Sequence, residues 1–593
     1  MDSQQKRLMI TLALCFALTA VWMWLFPPTP PKPAPEAQKT EQVAKAPSPA
    51  PTQAAPTPAP QTPPGTPAAP AFTAPVRTLT VDRGPTHVIV SSVGGSLTDV
   101  VLQGDKMREQ GHVGFVEAWT HLGKGTPPPP QMDLAVPPPN AAGPLAVELT
   151  GANPLPATAP YVMEGPQGDT LSFHTQGNGW DLKKALTFPK DVPTPSGDAL
   201  PAQGYTYGYD ITVTNTTAQA RTTELAVHFP RSINPGEEVK PSYFGGVGNL
   251  SYAGCRVGKD YKKRASDDKP AEEFKGQIHF IGVDQQYFLS AIYPLDAKAD
   301  GRCVINGTAT LREAVAYFPV TVQPGQSVTR HFGVFLGPKD LNLLDKVSAQ
   351  AAATLKVATD QGPMLDKTVG FGVFAVIAKV LVPIMNVAHS LTGSWGLAII
   401  LLTVFVKLLL LPLIHKSMVS QEAMRKLQPK MEALKKKYKD DKERQQIETM
   451  RLYKEEKVNP FGGCIPMLIQ LPIWFALYEV LRNSFELYRA PFLAPLWHDL
   501  TFKDPTYVIP VLLVISQILT TKLQPQPMMD ATQAKVMTFV MPVFFGAVML
   551  NYPLGLNLYI FTNNVLTVAQ QYGLRKYLEK RSAVGAPALE RRK

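Results

Sequence analysis

Two periods of hydrophobicity divide the chain. Between Val76 and Pro338 apolar side chains alternate with smaller or polar ones, as in Tyr205, Tyr207, Tyr209, Ile211 and Val213, then Leu225, Val227 and Phe229, then Phe332, Val334 and Leu336. A period of two in many short runs, punctuated by Gly, Pro, Asn and Asp, predicts a β-sandwich. Past residue 365 the pattern changes to long apolar runs. The clearest is Trp395 to Ile414, close to the ~20 residues that a helix rising ~1.5 Å per residue needs to cross a ~30 Å hydrocarbon core. Lys407 lies inside it. A cation near mid-bilayer costs roughly 2.5 to 3.5 kcal/mol on insertion scales, so it requires water, a polar partner or a cavity. Snorkelling is the plainer explanation, although the ammonium would have to reach about seven residues to the nearer end.

The other apolar runs set the topology. Leu8 to Phe26 follows Lys6 and Arg7 and ends in Trp22, Trp24 and Phe26, which predicts an anchor whose start faces the cytoplasm. Pro27 to Pro75 is almost all Pro, Ala, Thr, Gln and Lys and reads as an extended tether. The β domain after this crossing therefore lies outside. Leu341 to Thr359 has the composition of a connecting helix. Val369 to Ala388 is long enough to span, but a crossing there would turn the following basic loop outward, so it is placed along the outer interface as an amphipathic helix. Four shorter stretches follow: Cys464 to Leu481, Tyr507 to Thr521, Val536 to Leu550 and Leu554 to about Tyr572. They contain Gln470, Glu479, Gln517, Thr538, Asn557, Asn563, Asn564 and Thr567, polar groups that each need an internal partner.

Charge supports this order. The net charge of +11 is concentrated in one internal loop and the C-terminal tail. The loop, His415 to Val458, includes Lys430, Lys435, Lys436 and Lys437, and belongs in the cytoplasm by the positive-inside rule. Within it Met424, Leu427, Met431, Leu434 and Tyr438 follow a 3-4 spacing, and Asp440-Asp441 precedes a second run with Ile447 and Met450, which predicts an antiparallel helical hairpin. Six crossings return the basic tail to the cytoplasm. The expected units are an anchor (1–26), a linker (27–75), a β domain (76–340), connecting and interfacial helices (341–394), a five-span core (395–580) and a tail (581–593).

Composition excludes more chemistry than it suggests. The sequence shows no nucleotide loop, no metal-spaced His/Cys/Glu set and no nucleophile motif, so catalytic residues, metal and cofactors are none. Of four cysteines, Cys255 and Cys303 lie in the external domain, where a disulfide is permitted and the sequence leaves its geometry open. A cation in the inner leaflet, short spans with polar faces and a basic hairpin beneath them describe machinery for moving peptide. Two rival readings are a secondary transporter or channel, and a membrane-anchored carbohydrate-active external domain.

The runs LQPKMEALKKKY, LYKEEKVNPFGGCIPMLIQLPIWFALYEVL, KVMTFVMPVFF and YPLGLNLYIFTNN resemble the YidC/Oxa/Alb family of membrane protein insertases, in its Gram-negative form. The resemblance implies a polytopic α-helical inner-membrane protein of six spans with a five-helix insertase core and an extracytoplasmic all-β supersandwich. It implies a hydrophilic groove open to cytoplasm and lipid, and insertion and chaperoning of nascent membrane proteins, alone or with the Sec translocon. The ribosome, met by hairpin and tail, and anionic lipids are the other expected partners, with a single copy as the working unit. The family's groove arginine falls on Lys407, with Thr403 one turn before it. Where the family has a frequent Tyr-Tyr pair this chain has Tyr559-Ile560, so only Tyr559 carries over. The expected groove set is Lys407, Thr403, Gln470, Tyr559, Asn557 and Asn564.

Overall fold

The computed structural model describes residues 75–109, 129–139, 141–189, 204–234, 237–238, 250–266, 269–296, 299–371, 375–439, 441–456, 458, 465–493, 496–523 and 531–583. The expected anchor, the linker up to residue 74 and residues 584–593 of the tail lie outside them.

The alternating segment folds into antiparallel sheet. β1 (Thr78–Arg83), β2 (Thr86–Ser91) and β3 (Ser96–Leu102) form a small meander. The larger sheet is built from β4 (Ala146–Leu149), β5 (Val162–Gln167), β6 (Thr170–Gly177), β7 (Trp180–Thr187), β8 (Thr206–Asn215), β9 (Arg221–Ser232), β10 (Tyr252–Val257), β11 (Asp260–Arg264), β12 (Glu272–Asp284), β13 (Phe288–Pro294), β14 (Asp300–Gly307), β15 (Leu311–Val322) and β16 (Ser327–Pro338). Its order is β4-β9-β15-β14-β12-β13-β16-β8-β7-β6-β5, with β10 beside β12 and β11 beside β10. β12 belongs to two leaves. Its first half, Glu272 to Gln277, pairs with β14, and Ile281 to Asp284 pairs with β13, so the chain turns a corner near Gly276. A disulfide joins Cys255 on β10 to Cys303 on β14 across that corner, with both side chains fully buried.

The period-two pattern does what it predicts on β8, where Tyr207, Tyr209, Ile211 and Val213 are buried and their neighbours half-buried. In the second half of β16 the alternation disappears, because Phe332 through Pro338 are covered on both faces. Lys184 on β7 is buried and donates to the carbonyl oxygens of Gly94, Gly95 and Leu145, tying the β2–β3 turn to the main sheet. Gly94 sits at φ 65° in that turn, and a Cβ there would lie 2.5 Å from the Ala157 carbonyl oxygen, which excludes any other residue.

The helical half begins with α1 (Leu341–Leu355), whose first turn is capped by Asp340 accepting from the Leu343 amide at 2.8 Å. Then come α2 (Ala375–Thr392), α3 (Trp395–Leu409), α4 (Leu411–Lys437), α5 (Lys442–Glu455), α6 (Ile465–Asn483) and α7 (Val508–Leu523). A short α8 (Ala531–Lys535) runs through a π-helical turn, Val536–Val540, into α9 (Met541–Met549), and α10 (Leu554–Ala583) ends the described chain. Two boundaries differ from expectation. The run Trp395 to Ile414 is not one helix: it breaks at Leu410, and α3 and α4 meet at a 62° bend. Pro412 explains the break, since proline lacks an amide hydrogen and clashes with the carbonyl four residues back, but fits the first turn of a new helix. The hairpin's first helix accordingly starts at Leu411 rather than at His415, and it runs on through Pro429.

Among the described residues α2 is the one helix that alone is long and apolar enough to cross a membrane, and α3 with the start of α4 passes as a bent pair. α2 buries Ala378, Leu381, Val382, Met385 and Ala388 against its neighbours α3 and α6. Its other face exposes Val376, Val380, Val387 and Leu391, so apolar side chains lie on both sides, with Lys379 and, toward its end, Asn386, His389, Ser390 and Thr392 as the polar positions.

The β domain and the helices meet at the loop between α6 and α7. Phe288 packs on Phe485 and Tyr488, and Tyr287 packs on Tyr488 at 4.5 Å between ring centres. Lys106 donates to the Glu486 carbonyl, Tyr488 to the Arg108 carbonyl, and Gln286 to the Arg482 carbonyl at the end of α6. The C-terminal end of α6 is thereby fastened to the sheet.

Candidate functional site

α10 is the helix on which the site is assembled, because it packs against α3, α6 and α7. Its residues Tyr559, Asn563 and Thr567 recur every four positions and so share a face. Lys407 on α3 is 6% exposed, and its Nζ donates to Thr567 Oγ1 at 2.8 Å. Thr567 in turn donates to the carbonyl oxygen of Asn563 at 2.7 Å. One turn outward Gln470 of α6 donates to Asn563 Oδ1 at 2.6 Å. On the side facing α7, Asn564 donates to Gln517 Oε1 at 2.9 Å and Ser516 Oγ at 3.2 Å. These amides and hydroxyls connect helices whose surroundings are otherwise apolar, where an unpaired polar group would cost several kcal/mol.

The structure thus brings Lys407, Gln470 and Asn564 into one system of polar pairs running through α10. Tyr559 is buried on the same face. Thr403 is buried one turn before Lys407, but its hydroxyl donates to the Ile399 carbonyl of its own helix at 2.7 Å. Asn557 stands elsewhere. Its amide donates to the carbonyls of Met549 and Tyr552, closing the connection between α9 and α10, and ten residues along a helix place it ~15 Å from Thr567. Thr567, Asn563 and Ser516 are the members that a short site list omits. The four-residue spacing of Tyr559, Asn563 and Thr567 was the available signal for the first two.

The arrangement has one full charge and several neutral groups. Among the described residues no carboxylate pairs with Lys407, and no group of three His, Cys, Asp or Glu could hold a metal ion. Gln570 and Gln571, one turn beyond Thr567, have side-chain carbonyl oxygens that are buried and unpaired among the described residues. Such a surface can bind a polar or acidic chain segment.

Below this site α4 and α5 form the hairpin, closed by Leu427, Met431 and Tyr453, with Asp441 capping α5 by accepting from the Arg444 amide. Lys430 is exposed and pairs with Glu456 across the hairpin. Lys436 and Lys437 are exposed, and Lys437 lies over the Tyr438 ring at 5.4 Å. The Lys435 side chain lies outside the described residues.

The fold and the site define the class as a bundle of largely apolar helices with a buried polar seam, fastened to a large antiparallel β domain. The comparisons are more specific. Residues 387–581 match the family described as 60Kd inner membrane protein, and residues 199–384 match the YidC periplasmic domain. A membrane protein insertase YidC of Anaeromyxobacter sp. (strain Fw109-5) is 37% identical over 512 residues, covering 84% of each chain. One from Anaeromyxobacter dehalogenans (strain 2CP-C) is 34% identical over 515 residues, covering 85% of this chain and 86% of its own. Among solved structures, an active YidC insertase with its first transmembrane domain resolved aligns over 84% of this chain and 94% of its own, at 20% identity and a TM-score of 0.37. The chain belongs to the YidC family of membrane protein insertases. It is an inner-membrane insertase with a periplasmic domain, and its activity is insertion rather than catalysis.

Proposed function

We propose that the polar seam of α3, α6, α7 and α10 is the path by which client spans and their short polar tails enter the membrane. The observation that carries this reading is Lys407, buried at 6% exposure in an apolar helix and compensated by a neutral hydroxyl. A cation so placed attracts a client carboxylate, and at contact distance with an effective dielectric near 20 the attraction is roughly 4 kcal/mol. Gln470, Asn563, Asn564 and Gln517 extend the seam with groups that both donate and accept, which suits a client's backbone. Thr403 and Tyr559 belong to its wall, and Asn557 to its outer closure.

The wider topology follows the charge distribution: six spans, cytoplasmic termini, and α2 lying along the outer interface. α2 has the length to cross, but keeping it in the interface leaves the lysine-rich hairpin inside. Lys435, Lys436 and Lys437, with the basic tail, would meet the ribosome or anionic lipid. The Sec translocon is the partner for longer clients, and one copy suffices for short ones.

Reconstitution of the full chain into liposomes tests the reading through protease protection of a single-span client with an acidic translocated tail. Protection above empty liposomes is expected, retained in Lys407→Arg and cut in Lys407→Glu by roughly tenfold, since reversing the charge turns the attraction into repulsion. Equal protection by wild type and Lys407→Glu would remove the lysine from the mechanism.

A further inference from the structure

We propose that Thr567 is a positioning residue for Lys407, holding the ammonium against α10 as an acceptor-only cradle that a client carboxylate then joins or displaces. The inference rests on the reading of Lys407 as the seam's charge. It begins from the direction of the hydrogen bonds. The Thr567 hydroxyl has one proton, and that proton goes to the Asn563 carbonyl at 2.7 Å. What it presents to Lys407 Nζ at 2.8 Å is therefore a lone pair. The lysine has three donors, and a single neutral oxygen engages one of them.

Two consequences follow for a flexible side chain. A lysine has four rotatable bonds and no planar fork, so without a fixed acceptor its ammonium samples several directions or withdraws toward water. Thr567 selects one direction, toward the face that also carries Asn563 and, one turn further, Tyr559. The same contact is weak enough to yield: a hydroxyl stabilises a buried cation far less than a carboxylate does. Thr567 thus orients the charge without neutralising it. The helix bonding of Thr567 to Asn563 is a common local habit of threonine, and here it has a second effect, because it removes the hydroxyl's freedom to donate.

The experiment uses the full chain in liposomes with two clients that differ only in an acidic or uncharged translocated tail. The readout is the ratio of their protease-protected fractions, which a packing defect does not change. Thr567→Val keeps the shape and removes the acceptor, and is expected to lower the acidic-to-uncharged ratio by roughly tenfold, while Thr567→Ser restores it. In a Lys407→Gln background the Thr567→Val change should have no further effect on the ratio. An unchanged ratio in Thr567→Val, or Ser behaving like Val, overturns the positioning role while a lowered ratio in Lys407→Gln leaves the lysine's role standing. If Lys407→Gln itself leaves the ratio unchanged, both fall together.

Discussion

His228 on β9 stands between two carboxylates, Glu148 of β4 at 3.2 Å and Glu313 of β15 at 3.4 Å. Burial alone would lower the imidazole's pKa, but the hydrogen bonds and charges of Glu148 and Glu313 outweigh it and push it up to about 9 from 6.5. Glu148 shifts the other way, its carboxyl held below its usual 4.5 chiefly by the His228 hydrogen bond. For a group whose folded pKa is raised, the stabilisation is complete below the unfolded value and is lost as pH rises through the folded one. The window is therefore pH 6.5 to 9, and the contribution is roughly 3 kcal/mol. Thermal unfolding of the purified chain should show stability falling across that window, and His228→Gln should flatten the fall. A wild-type to variant difference that is the same at pH 6 and pH 9 would refute it. The lysine of the seam was visible in the sequence for a related reason: a lone charge in an apolar run requires a physical account. Thr567 was visible only as one of several polar residues at membrane depth, since nothing in a one-dimensional pattern says which of them the ammonium meets.

Asp504 shows how one residue can set an element's start. Oδ2 accepts from the Ile509 amide at 2.9 Å, and Oδ1 accepts from the Thr506 amide and the Trp497 indole. It both caps α7 and closes the loop before it. Asp504→Ala loses the cap and leaves the Trp497 indole only its longer hydrogen bond to the Thr506 hydroxyl at 3.2 Å, a combined cost of roughly 1 to 3 kcal/mol. Thermal unfolding should register that loss, and amide exchange at Ile509 should accelerate, with Asp504→Asn intermediate; an unshifted melting curve would show the loop is held by its apolar packing instead. Elements of this kind were unevenly legible. β8 followed its alternation, β9 buries Ala226, Pro230 and Arg231 as well as Leu225, Val227 and Phe229, and the hairpin followed its 3-4 spacing and its aspartate cap. The break at Leu410 was hidden because LLLLPLI reads as one apolar run, although Pro412 was the local sign that a helix starts there. The corner of β12 was hidden too, since Phe280 through Asp284 are buried in an unbroken run and no alternation marks where its partners change.

At the scale of the molecule the least legible feature is the junction between sheet and helices, because it joins side chains hundreds of residues apart in sequence, such as Lys106 with Glu486. Tyr488 is its centre: 1% exposed, in ring contact with Tyr287, Phe288 and Phe485, and donating to the Arg108 carbonyl. The β domain thus braces the outer end of α6, whose inner part holds Gln470 in the seam. Removing a buried aromatic ring of this size costs roughly 3 to 5 kcal/mol, and here the loss falls on the junction rather than on either core. Tyr488→Ala should therefore raise amide exchange across 484–507 while the strands of the β domain keep their protection. Insertion of the short acidic client then distinguishes two uses of the brace. If the seam works by local charge and polar pairs, insertion stays within about threefold of wild type, a change of roughly 0.7 kcal/mol. A loss as large as that of Lys407→Glu would mean that the position of α6, fixed from outside the membrane, is part of how the seam accepts a client.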